Sequence, residues 1–238
     1  MTKRAGTQFN CFSPPIMVAT LVIEALLAIY TVWRYKMTVL VRLITAALLA
    51  LGIFQLAEYF VCTGYGFPAE QWSRVGFAAI TTLPALGTHI LHQLAGKPGR
   101  RMVAAAYAMM AGFIIFFMTY TTAFIGHQCT GNYVIFQIGN GPAVVYGLYY
   151  YGWILTGIVL GVRWANQFKE QGKAMRKKLE TVRALIIGYL VFLVPTAIAN
   201  TVVPSSRDGI PSIMCGFAVL FALILALYVL PRAAKRKK

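Results

Sequence analysis

Glu24 and Glu58 are carboxylates set inside long apolar runs. An ionisable group in such a place is costly, and so marks a position with a purpose. Gln55, Glu58 and Cys62 fall on one helical face by their i, i+3, i+7 spacing. That face must turn away from lipid. Thr196 and Asn200 lie in another apolar run, and Tyr146, Tyr149 and Tyr150 open a third. His127 sits in an uncharged, glycine-rich stretch, 126–142. This spacing predicts a polar, outward-opening pocket built from Gln55, Glu58, Asn200 and Tyr146, with His127 at its mouth. Two other readings stay open. Gln55 and Glu58 can hydrogen-bond helices together with no ligand. The group from Tyr146 to Trp153 can be an interfacial belt of aromatics. The 126–142 stretch reads either as a cap on the pocket or as an ordinary surface connection.

His89-x-x-His92 places two imidazoles on one helical face, which invites a metal. A third ligand at the same level is needed. By rise along the helix, Glu58 lies about 7 Å and Glu24 about 12 Å below the outer surface, whereas His89 lies about 21 Å below it. Those gaps far exceed a metal–ligand bond, so no metal and no cofactor is expected. His89 is expected in the inner half, and His92 near Lys97. Other chemistries fail on residue types. The last apolar run, 210–230, has no lysine for a retinal Schiff base, and no Gly-x-Ser-x-Gly nucleophile motif occurs.

The elements that must position these residues follow from composition. Of 238 residues 59% are apolar and only 12% charged, and mean hydropathy is +0.68. Soluble domains carry about 25% charged residues, and disordered chains are poor in apolar ones. The apolar residues gather into seven runs of membrane-spanning length, about 16–33, 39–63, 75–95, 102–125, 143–163, 182–203 and 210–230. They lack the alternation of barrel strands, so helices are expected. The fold class is therefore all-α, a single polytopic domain of seven transmembrane helices, with a basic tail at 231–238. Pro84 and Pro195 predict kinks in the third and sixth helices.

The formal charge of +16 would suit nucleic acid in a soluble protein. Here it alternates with the spans. Eighteen Lys and Arg fall on the 1–2, 3–4 and 5–6 connections and the tail, against four on the other side. The positive-inside rule then puts the N-terminus outside and the C-terminus in the cytoplasm. The basic clusters at 173–178 and 232–238 are expected to meet anionic lipid headgroups. No nucleic-acid partner is expected. All four cysteines, Cys11, Cys62, Cys129 and Cys215, fall toward the outer face, where disulfides persist. Cys62–Cys129 is the expected pair, with Cys11–Cys215 left over.

Cys11-Phe12-Ser13, followed 44 residues on by Gln55-x-x-Glu58, resembles a family of small bacterial multi-pass membrane proteins with no assigned activity. Members begin Met-Cys-Phe-Ser and carry Gln-x-x-Glu in the second span. The likeness covers roughly the first 65 residues and departs at Tyr59, where that family tends to have glycine. It implies that Cys11, Gln55 and Glu58 matter together. Trp72-Ser-Arg74-Val-Gly76, leading to Leu83-Pro84-Ala-Leu-Gly-Thr-His89, is similar to the third span of a seven-helix sensor region found ahead of some histidine kinases. That likeness implies signal sensing, with a cytoplasmic signalling partner as output. The expected function is therefore ligand sensing or binding at the outer pocket. The alternatives are a proton- or ion-coupled transporter or channel using Glu24 and Glu58, and a membrane enzyme acting on lipid.

Overall fold

The structure, a computed structural model, describes residues 14–129, 134–202 and 209–237, the side chains of Pro14 and Asn140 excepted. Helices α1 (Pro14–Arg34), α2 (Val39–Thr63), α3 (Ala69–Ala95) and α4 (Arg100–Thr119) come first. Strands β1 (Phe124–Cys129) and β2 (Val134–Ile138) form an antiparallel hairpin. Then come α5 (Asn140–Glu170), α6 (Arg176–Val202) and α7 (Ile210–Leu223). A π-helical stretch, Ile224–Val229, and a final turn, Leu230–Ala233, extend α7. Seven helices are long and apolar enough to cross a membrane. The chain has the architecture of a multi-pass membrane protein.

Local chemistry sets the helix ends. Thr38 caps α2, its hydroxyl accepting from the Val41 N–H. Gly64 closes the same helix in the left-handed region, at φ 66°, and donates to Phe60 O. The apolar run that reaches Ile125 does not stay helical to its end. Helix α4 stops at Thr119, and Phe124 and Ile125 enter β1. Hydropathy measures apolarity alone and does not separate a helix from the strand that continues it. Helix α3 begins earlier than its apolar run, at Ala69, because Pro68 ends the preceding turn.

Helices α2 and α3 form the centre; 61% and 72% of their most apolar windows are buried, against 11% for α4. Helix α1 and α7 pack on α2, and α4, α5 and α6 pack on α3. Close approach relies on glycine at the crossing points. A methyl at Gly87 of α3 would collide with the Tyr189 hydroxyl of α6, and one at Gly188 with the Phe221 ring of α7. Large apolar side chains such as Leu26, Ile29, Leu148 and Ile187 point outward, where lipid would cover them.

The bundle has two unlike ends. One carries the hairpin. At the other, the connections α1–α2, α3–α4 and α5–α6 meet the C-terminal tail. There Lys36 N–H donates to Lys235 O, and Lys237 N–H donates to Arg34 O. Lys97 lies 6.0 Å above the Phe168 ring.

Candidate ligand cavity

The hairpin is fixed from three directions. Cys62, at the end of α2, is joined by a disulfide to Cys129 of β1, which is the pairing expected from the sequence. Phe77 of α3 touches the rings of Phe54, Phe117, Phe124, Phe136 and Tyr146, with centroids 5.1–6.4 Å apart. This one ring therefore packs α2, α4, α5 and both strands together. The Val134 N–H of β2 donates to Ser212 Oγ of α7 at 3.2 Å. A fourth contact secures the approach to the hairpin. Arg74 of α3 donates to Phe117 O and, at 3.1 Å, to Thr121 O, satisfying carbonyls that α4 leaves free at its end.

Beneath the strands, between α3, α5 and α7, lies a cavity of about 550 Å³. Its walls are mainly aromatic and aliphatic, with Phe77, Phe136, Tyr146, Tyr150, Tyr151 and Met214 among them. Gln128 and Gln137 of the hairpin and Cys215 of α7 add polar groups. That mixture, an apolar chamber with a few polar handles, is the usual make-up of a small-molecule site.

The expected site residues are distributed unevenly around it. Tyr146 lines the chamber, and its hydroxyl is 3.1 Å from that of Thr81. Tyr149 donates to Thr81 O at 2.7 Å, and Tyr151 to Met214 Sδ at 3.2 Å. Tyr146, Tyr149 and Tyr150 are buried. They face the bundle, not a lipid headgroup belt. Gln55 and Glu58 are buried behind the chamber rather than in its lining. Asn200 is half-buried on α6, one turn beyond the buried Thr196, and is also outside the lining. His127 is exposed on β1, opposite Phe136 in the strand register.

Cys215 is buried and forms no disulfide; Cys11, its expected partner, lies outside the described residues. His89 and His92 occupy separate places. The His89 ring nitrogen is 3.2 Å from the Tyr107 hydroxyl, and that of His92 is 3.2 Å from Lys97 O. His92 also packs edge-on against Trp164. Sequence reasoning missed Cys215 and Gln137 as cavity residues. Hydropathy gives depth along a helix, whereas lining depends on helix rotation. Comparison with protein-family models and with curated proteins finds no match to this chain.

Proposed function

We propose that this membrane protein binds a small, largely apolar ligand in the chamber beneath the hairpin and serves as a ligand sensor. The observation that carries the reading is the chamber itself. Its volume of about 550 Å³ falls within the range of small-molecule sites, roughly 300–1,000 Å³. Its roof is covalently tied to α2, which restrains the strands and lowers the ordering that binding would need. The hairpin end is proposed to face outward. The eighteen-to-four distribution of basic residues supports this orientation, as does a disulfide at that end. The resemblance to the sensor region of some histidine kinases agrees with a sensing role.

Gly147 lines the chamber and has open space where a side chain would sit. Gly147→Trp should therefore fill the chamber while leaving the fold intact. A thermal-shift screen of uncharged aromatic and aliphatic compounds tests the reading on purified protein in detergent. Compounds that raise the Tm of the native chain but not of G147W support it. Compounds that act equally on both bind elsewhere, and a screen in which none acts removes the reading.

A further inference from the structure

A second polar feature lies behind the chamber wall, and ligand binding leaves it unused. Glu24 of α1 is 0% exposed and Glu58 of α2 is 1% exposed. Both carboxyl oxygens of Glu24, and Oε1 of Glu58, have no hydrogen-bond partner among the described residues. They stand on two helices that pack directly on each other. Glu24 lies against α2 beside Gly52, where a methyl would sit 3.9 Å from Glu24 Oε2, an ordinary contact.

No basic side chain answers this pair among the described residues. The described ion pairs join Glu70 to Arg74 and Glu180 to Arg176 and Arg232. Helix α3, also packed on α2, carries titratable groups with other partners. Glu70 and Arg74 pair with each other, His89 meets Tyr107, and His92 meets Lys97 O. What does face the pair is α7. This helix packs on both α1 and α2, and Ser212 and Cys215, one turn apart on it, are both buried. Cys215 also lines the chamber. Ser212 accepts from Val134 N–H of the hairpin. Helix α7 thus packs on the helices that carry the two buried carboxyls and also lines a space large enough for water.

We propose that Glu24 and Glu58 form a proton-binding site within the membrane, which exchanges its proton with water in the chamber past Ser212 and Cys215. A carboxylate out of water and without a cation is strongly disfavoured, and taking up a proton is the smallest change that relieves each of the two. The exchange is acid–base only: a carboxylic acid gives its proton to water, leaving a carboxylate and hydronium, and the reverse reloads it.

Infrared spectroscopy tests this on the full chain in phosphatidylcholine vesicles. The expected result is a carboxylic-acid C=O band that is lost in Glu24→Gln or Glu58→Gln. The band should shift on transfer to D2O and weaken as the pH is raised, and Ser212→Ala should slow the D2O shift. A band that never shifts in D2O would show a sealed pair that only joins helices, and would overturn the proposal. So would the absence of any acid band from these residues. If the Gln variants fail to fold, dicyclohexylcarbodiimide on the native protein decides. This apolar reagent modifies protonated carboxyls. Adducts on Glu24 or Glu58 that decline with rising pH support the site, and adducts on neither, or adducts indifferent to pH, refute it.

Discussion

At the hairpin end the chain is held by a covalent bond, a five-ring aromatic contact around Phe77, and hydrogen bonds that reach between distant elements. At the opposite end it is held by backbone hydrogen bonds between the tail and the α1–α2 connection, among charged and exposed side chains. The first kind of fixation suits an end that must keep an empty chamber open. Packing alone would tend to collapse such a space, so its roof is tied to helices that cannot follow it inward. The second kind is found at the end that carries the basic connections and the basic tail.

Breaking the staple is the most direct attack on this contrast. Cys62→Ser releases a bond that closes 67 residues of chain. It should cost about 2–4 kcal/mol, read as a fall in Tm of the purified protein. Cys129→Ser should match it, and the double variant should add nothing further, since one bond cannot be lost twice. An unchanged Tm would mean that the aromatic contacts alone secure the hairpin, and the contrast between the ends would lose its covalent half.

Arg74→Ala comes next. The side chain is only 12% exposed and donates to two carbonyls beyond its own helix. Its loss should cost about 1.5–3 kcal/mol in unfolding free energy. Glu70→Gln should cost much less, because Glu70 is 52% exposed and its pairing with Arg74 is solvent-screened. Equal losses would show that Arg74 acts through the ion pair rather than by capping α4.

The opposite end should respond through lipid before it responds through stability. Lys173 and Lys177 are exposed and Lys178 is half-buried at the start of α6. Changing all three to Gln should weaken preference for anionic over zwitterionic lipid, by about 1 kcal/mol per residue at most. Native mass spectrometry of the purified protein with both lipids measures it. The Tm in neutral detergent should stay within about 0.5 kcal/mol of the native value. A large loss of stability would mean that this end, too, is held by its side chains.

What the sequence showed and what it hid divide along physical lines. The seven helices were legible because a membrane span is a matter of length and apolarity, both read by counting. The Cys62–Cys129 bond was legible because both residues lie at the same depth beside polar loops. The hairpin was not. Phe124–Cys129 lacks the strict alternation of a half-buried strand, and the Asn-Gly of the 126–142 stretch, Asn140-Gly141, falls after β2 rather than between the strands. The chamber was half legible. Of the residues expected to form a pocket, Tyr146 lines the chamber, whereas Gln55 and Glu58 are buried outside its lining. What depth leaves open is rotation about the helix axis, and on α7 it is Cys215 that turns to the chamber. A signal for that existed in the i, i+3 spacing of Ser212 and Cys215 on an otherwise apolar helix.

The smallest expected effect probes the tail. Tyr35 is fully buried where Arg236 pairs with it, and burial pushes its phenol above the usual tyrosine range, with Tyr30 adding to the shift and Arg236 opposing it. A phenol whose folded value is raised stabilises the fold in its neutral form. That stability is fully present below the ordinary tyrosine range and is lost as the pH rises through the folded value. Removing residues 235–238 deletes the Lys36–Lys235 and Lys237–Arg34 hydrogen bonds. It should lower stability at neutral pH by about 1 kcal/mol. It should also bring the Tyr35 titration back toward its ordinary range, read as the ultraviolet difference between the truncated chain and its Tyr35→Phe variant. If the titration stays where it was, α1 and α2 bury Tyr35 without help, and the tail is a surface strand that leaves this end of the bundle as it would be alone.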